Sequence, residues 1–426
     1  MRKVEHLLRK CHSRSTGGHT VRHLIVLKSE QHYKCCLREL RKHGLKPHKS
    51  IKGERLLCCS IDSRLTDRLS ELASHPAVRY IEPDVKVKAH GIPLSKRGQN
   101  TIAATSRGFR PAPPLIKRRL AGRISINCPY GTPWNICRVQ APAAWRRTRG
   151  DSVRVAIVDT GIAKHPDLRI AGGVNIISRR KSFHDDNGHG THVAGIAAAL
   201  GSNGQIPGVA PAVKLYAVKV LDSGGSGYTS DIVEGIDWCI RNRIQVINMS
   251  LGLTGGTSKA LLQAVRRARR HGIIVVASAG NDGKLPGKID EPASYKETIA
   301  VAASTPRNTV APYSTRGKGI DVTAPGSDIK STWLNKGYHI LEGTSMACPH
   351  VTGAAALILA SRPGISVNRV TRKIRQTARR LPGFSSLAQG HGLLQAARAL
   401  SSAGAGRKLR RRRRQRTLKL KQPAFL

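Results

Sequence analysis

The chain has 426 residues, of which 73 are Lys or Arg and 25 are Asp or Glu, a formal net charge of +48. A hydrophobic content of 39% with only 4% aromatics fits a globular protein long enough to bury a large core, and no apolar run approaches the length of a membrane span. Basicity this extreme favours adhesion to polyanions and admits a nucleic-acid-binding reading, so the location of the charge matters.

Residues 1–21 are basic and lack the apolar core of a secretory signal, so they read as a separate N-terminal segment. That absence points first to an intracellular, spore-associated or cell-associated protein and second to an extracellular one. Residues 22–90 alternate strand and helix signals. HLIVLK is an apolar, β-branched strand, EQHYKCCLRELRKHG an amphipathic helix, and LLCCSID a second strand; RLTDRLSELASHP is a second helix and AVRYIEPDVKVKA returns to strand. This predicts a compact α+β unit of ferredoxin-like order. Residues 91–127 dissolve into Pro, Gly, Ser and basic residues and read as a linker.

Over residues 128–400 the pattern changes. VRVAIVD, KLYAVKVL, IQVINMS, GIIVVASAG and ETIAVAAS are short apolar strands, and THVAGIAAAL, SDIVEGIDWCIRN and SKALLQAVRRARR between them are helical. Buried β-branched strands alternating with helices predict an α/β fold with a mostly parallel, doubly wound sheet flanked by helices, whose functional residues gather beyond the carboxyl ends of the strands. Residues 401–426 form a basic tail, with ten Lys or Arg between Arg407 and Lys421 and no acid. Such a tail predicts disorder. The nine cysteines are odd in number and include adjacent pairs. They read mainly as reduced structural thiols, with Cys128 and Cys137 the pair to check for a bridge.

Three short stretches carry candidate chemistry. Strand VRVAIV ends at Asp159, NGHGTHVAG opens a helix at His189 after a glycine turn, and GTSMA starts a helix at Ser345. A serine hydroxyl is a poor nucleophile at neutral pH and needs a positioned base. Histidine can take that proton and return it, and a carboxylate can hold the imidazole tautomer and stabilise the imidazolium. The helix amino end at Ser345 adds favourable potential for a developing oxyanion.

DTG, HGTHVAG and GTSMAxPH in this order resemble the subtilisin-type serine proteases, and the likeness extends over most of residues 129–400 through TPWNICRVQAPAAW, GVAPAVKLYAVKVL, SLG and SAGN. The resemblance implies an Asp159–His189–Ser345 triad working through an acyl-enzyme, with the Asn281 side-chain amide completing the oxyanion hole. His192 and His350, though inside motif segments, are expected to pack rather than react. The resemblance further implies that SGGSG, with Gly225 and Gly227, and SLG, Ser250–Leu251–Gly252, are strand edges pairing with the backbone of protein and peptide substrates. Asp282 and Asp290 fall where the primary specificity pocket belongs, so a preference for Lys or Arg before the scissile bond is expected.

By the same resemblance a structural Ca²⁺ is expected on Asp167 and the loop from Leu200 to Ile206 with Asn203, although Tyr130 and Ser202 depart from the family's ligands. The front unit looks like the family's inhibitory propeptide, an intramolecular inhibitor cut first at His90–Gly91 and then near Arg97 and Arg119. The enzyme is expected to be a monomer whose basic tail contacts polyanions nonspecifically. Two rivals stand beside this reading. An aspartic protease would need a second DTG, and a catalytically inactive polyanion-binding protein on the same fold would have no reason to keep Asp159, His189, Asn281 and Ser345 together.

Overall fold

The computed structural model describes residues 4–11, 20–90, 92–93, 128–129, 131–201, 206–283 and 287–401. Most of the expected linker and the tail beyond Ser401 lie outside them.

The front unit comprises α1 (Val4–Cys11), β1 (Thr20–Leu27), α2 (Glu30–Lys42), β2 (Lys49–Ile51), β3 (Leu56–Asp62), α3 (Thr66–Ser74) and β4 (Val78–Pro83). Its sheet has the antiparallel order β2-β3-β1-β4, the ferredoxin-like order. The run LLCCSID carries no polar alternation because both faces of β3 are covered. Leu57, Cys59 and Ile61 pack with Ile25 and Leu27 against the unit's own helices, whereas Leu56 and Cys58 pack with Leu24 and Val26 against the second unit.

Helix α1 corrects the expectation of a separate N-terminal segment. Val4, Leu7 and Leu8, spaced on one helical face, are buried in the same small core as Leu40 and Leu72. The strand expected over AVRYIEPDVKVKA is also two strands. It breaks after β4, and β5 (Lys86–Ala89) and β6 (Ile92–Pro93) leave the front sheet altogether.

The second unit continues with α4 (Trp134–Arg138), α5 (Ala141–Ala144), β7 (Arg154–Asp159), β8 (Ile170–Asn175), α6 (His189–Ala198), β9 (Lys214–Lys219), β10 (Ser226–Tyr228) and α7 (Thr229–Arg241). Next come β11 (Val246–Met249), β12 (Leu251–Leu253), α8 (Lys259–Arg270), β13 (Ile274–Ser278), β14 (Thr298–Ser304) and β15 (Val322–Pro325). The hairpin β16 (Ile329–Thr332) and β17 (Tyr338–Glu342) leads into α9 (Thr344–Ser361) and α10 (Val367–Thr377).

Seven strands form one parallel sheet in the order β15-β14-β13-β11-β7-β9-β8. Alternate residues of β7 serve two cores: Val155 and Ile157 face the layer of α6 and α9, and Ala156 and Val158 face the layer of α7 and α8. Because both faces are covered, every residue of β7 after Arg154 is buried. Cys128 and Cys137 form a disulfide, while Cys35, Cys36, Cys58, Cys59, Cys239 and Cys348 are free thiols.

Candidate active site

The site lies beyond the carboxyl ends of β7, β11 and β13. Asp159 is the last residue of β7 and fully buried; its Oδ1 accepts from Thr160 N at 2.8 Å and lies 2.8 Å from His189 Nδ1. His189 opens α6 directly after Gly188, whose φ of +105° is a conformation that disfavours side chains. A Cβ at Gly188 would lie 2.5 Å from the Trp333 ring, so the turn needs glycine on both counts.

Burial opposes charge on His189 and is the largest single influence. The charge and hydrogen bond of Asp159, helped by Asp185, outweigh it and lift its pKa above the ordinary imidazole value. Its outer nitrogen, Nε2, is buried and has no hydrogen-bond partner among the described residues. A buried, unpaired ring nitrogen beside a fixed carboxylate is poised to accept a proton.

Ser345 is the second residue of α9 and fully buried. Its Oγ donates to the Ser250 carbonyl at 2.9 Å rather than to His189. The helix around it is opened by Pro349, which has no N–H to offer the Ser345 carbonyl. Ser250 Oγ donates to that carbonyl instead, at 2.9 Å, tying the start of α9 to the edge of β12.

Asn281 follows β13 and Gly280. Its Oδ1 accepts from Thr344 N at 2.9 Å and lies 3.0 Å from Thr344 Oγ1, which fixes the amide so that Nδ2 points the other way. Nδ2 donates to the carbonyl oxygen of His90, from the front unit. Thr344 was not among the residues singled out from sequence; its place beside Ser345 in the GTSMA turn was the available signal.

The front unit fills the groove. Strand β5 lies antiparallel between β10 and β12, with Val87 opposite Gly227 and Leu253, and Lys88 opposite Ser226 and Gly252. Ala89 N donates to the Gly225 carbonyl at 3.0 Å and His90 N to the Ser250 carbonyl at 3.2 Å. Past residue 90, β6 pairs antiparallel with β17. Gly225, Gly227, Ser250, Leu251 and Gly252 therefore all lie along the strand edges that receive the front unit.

The His90 ring occupies the pocket beside these edges. Its Nε2 is 3.0 Å from Asp290 Oδ2 and its Nδ1 is 2.8 Å from Ser278 Oγ, the last residue of β13. Of the two acids assigned to this pocket, only Asp290 reaches the ring. Asp282 is exposed and its N–H donates to Thr315 Oγ1, because the turn after Asn281 carries it outward. Ser278 escaped the sequence reading, since a serine ending an apolar strand has no signature until its facing wall is known.

Two carboxylates, a partly buried Glu82 and a buried Asp84, lock the front unit onto helix amino ends. Glu82 accepts from Ser258 Oγ and from the N–H groups of Lys259 and Ala260 at the start of α8. Asp84 accepts from Ser230 N and Oγ at the start of α7 and pairs with Arg22 at 2.8 Å. Helix amino ends favour such anions.

The two histidines expected to pack do so. His192 Nε2 lies 3.0 Å from the carbonyls of Ile329 and His339, and burial followed by the nearby His189 lowers its pKa to about 3. His350 bonds Met346 O and Asn135 Nδ2, and burial lowers its pKa to about 4.

At the expected calcium loop, Asp167 is buried and accepts from Gly201 N at 2.9 Å, while Leu200 N donates to the Asp167 carbonyl and Leu200 pairs with Pro207. This closes a loop on one carboxylate. Tyr130, Ser202 and Asn203 lie outside the described residues. Among the described residues no cluster of three His, Cys, Asp or Glu could hold a metal, so an ion there would depend on carbonyls and Asn203.

A parallel sheet that brings a serine, a carboxylate-bound histidine and an amide donor to a groove filled by an extended strand defines a serine endopeptidase. A sequence model of the subtilase family matches residues 150–393, and the chain belongs to that family. It is 48% identical over 268 residues to the thermostable alkaline protease of Halalkalibacterium halodurans, covering 63% of this chain and 73% of that protein. To subtilisin Savinase of Lederbergia lenta it is 46% identical over 265 residues, covering 62% of this chain and 97% of the relative. To the minor extracellular protease Epr of Bacillus subtilis it is 42% identical over 245 residues, or 57% of this chain and 38% of that protein. The protein is a subtilisin-like serine hydrolase acting on peptide bonds. No helix among the described residues is long and apolar enough to cross a membrane.

Proposed function

We propose that the chain is a self-processing zymogen whose catalytic triad is Asp159, His189 and Ser345. One observation carries the reading: the His90 carbonyl rests on the Asn281 amide while its strand is hydrogen-bonded into the groove as a substrate would be. Ser345 Oγ turns from the Ser250 carbonyl to His189 Nε2, gives up its proton and attacks the His90 carbonyl carbon. The oxyanion forms against Asn281 Nδ2. His189 then passes the proton to the Gly91 amine, which leaves, and a water deprotonated by His189 hydrolyses the acyl-enzyme. Asp159 keeps the proton of His189 on Nδ1 and stabilises the charged ring.

The cleaved front unit stays as inhibitor through β5, Glu82 and Asp84 until it is degraded. Basic linker sites near Arg97 and Arg119 are trimmed afterwards. Asp290 in the primary pocket selects Lys or Arg before the scissile bond, by pairing charge in a half-buried site. Wild type and Ser345→Ala, expressed side by side in a protease-free host, test self-processing: the variant keeps its front unit covalently attached. Identical maturation of the two chains would refute it.

The Cys128–Cys137 disulfide favours an oxidising compartment, so of the two compartments considered we favour the extracellular one. Asp167, the carbonyls of Leu200 and Ile206, and Asn203 would hold a Ca²⁺, which would steady the loop after α6 and supply no chemistry to the reaction. No acidic residue occurs from Gly343 to Leu426. This cationic end adheres to polyanions in a salt-sensitive way, while the enzyme itself acts as a monomer.

A further inference from the structure

The residue standing before the first scissile bond is neither Lys nor Arg but His90, and the pocket meets its ring at both nitrogens. Nε2 lies 3.0 Å from Asp290 Oδ2 and Nδ1 lies 2.8 Å from Ser278 Oγ. The Nε2–Cε1 edge of the ring approaches Gly252 so closely that a Cβ there would come within 2.2 Å of Nε2 and 2.4 Å of Cε1, so the pocket has room for the ring only because this wall carries no side chain. The His90 side chain is 12% exposed and that of Asp290 26%, so both hydrogen bonds form largely out of water.

We propose that the primary pocket takes histidine as well as Lys and Arg before the scissile bond, with Ser278 as the residue that determines the histidine component. This rests on the reading of Asp290 as the acid of that pocket. A Lys or Arg head group needs only the carboxylate. An imidazole is short, and it is held at the right depth only if its second nitrogen also finds a partner. Ser278 Oγ supplies that partner and can accept from a charged ring or donate to a neutral one.

Either protonation state therefore makes two hydrogen bonds, but only the imidazolium makes a charge-assisted one with Asp290. That difference is worth about tenfold in affinity. Among the described groups around the ring, Asp290 is the one charged partner bonded to it. Glu291 turns away to Ser258 N and Tyr295 Oη, Lys288 is exposed, and Asp282 faces outward. Imidazole changes charge between about pH 5 and 8, whereas Lys and Arg do not.

The test uses enzyme obtained by expressing the full chain and three peptides differing only in Arg, His or Phe before the scissile bond. The His/Arg ratio of kcat/KM cancels the ionisation of His189, which both substrates share. That ratio should fall by about five- to tenfold between pH 5.5 and 8, and Ser278→Ala should lower it about tenfold at pH 5.5 while the Arg/Phe ratio stays high. If Arg is cut no faster than Phe, the acidic-pocket reading fails and this inference falls with it. If Arg is favoured but His is cut no faster than Phe at pH 5.5, or Ser278→Ala leaves the His/Arg ratio unchanged, the inference alone is overturned.

Discussion

The two units bury their strands for opposite ends. In the second unit β7 is covered on both faces by its own helices, which support the site at its tip. In the front unit one face of the sheet, with Leu24, Val26, Leu56 and Cys58, is covered only by the neighbouring unit's core, and β5 and β6 have no hydrogen-bonded partner strand within their own unit. The comparison teaches that the candidate site is built by the second unit, while the front unit, though it has a small core of its own, relies on its neighbour to cover one sheet face and to pair β5 and β6.

The most severe way to break this division is Ser345→Ala. By the magnitude measured for subtilisin itself, removing the nucleophile lowers kcat by about six orders, yet the packing of the front unit should be unchanged, which hydrogen exchange can check. Asn281→Leu should lower kcat by about two to three orders with little change in KM, again the scale known from subtilisin. Steady-state kinetics on a short peptide separate the two parameters; a loss confined to KM would remove Asn281 from the oxyanion site.

Smaller effects sharpen the contact between the units. Glu82→Gln and Asp84→Asn each remove a carboxylate from a helix amino end, and each should weaken inhibition by the cleaved front unit about ten- to a hundredfold. Unchanged inhibition constants would mean that β5 alone holds the complex. The pH profile bears on the second unit alone. Because Asp159 raises the pKa of His189 and the base must be neutral to act, the acid limb of kcat/KM should have its midpoint above the ordinary imidazole value of ~6.5. A midpoint well below that value would contradict the geometry. The smallest expected effect is that of chelation, which should lower the thermal midpoint by a few degrees if Ca²⁺ closes the loop from Leu200 to Ile206.

Much of this was legible before any coordinates. The strand-ending acid, the glycine-bounded histidine and the helix-opening serine are local signals, because each depends on turn geometry that a few neighbouring residues impose. The two-faced burial of LLCCSID left only a run of apolar residues, and the fold of α1 against Leu40 and Leu72 left none, since a short basic helix gains its stability from a partner rather than from its own sequence. Ser278 was invisible for a related reason, and Thr344 was marked only by its place beside Ser345: a polar side chain acquires a role only when something is brought within hydrogen-bond reach of it.

Local sequence therefore determined the class of fold and the order of its elements, and the family resemblance of its motifs marked Asp159, His189 and Ser345 as the candidate reactive side chains. Only the tertiary structure decided that Ser345 rests on Ser250, that Asp290 rather than Asp282 meets the His90 ring, and that this ring is bound at both nitrogens. The physical reason is range. Helix, strand and turn preferences act over a few residues, whereas His90 touches Ser278, Asn281 and Asp290, and nothing in the chain between them records that they will meet.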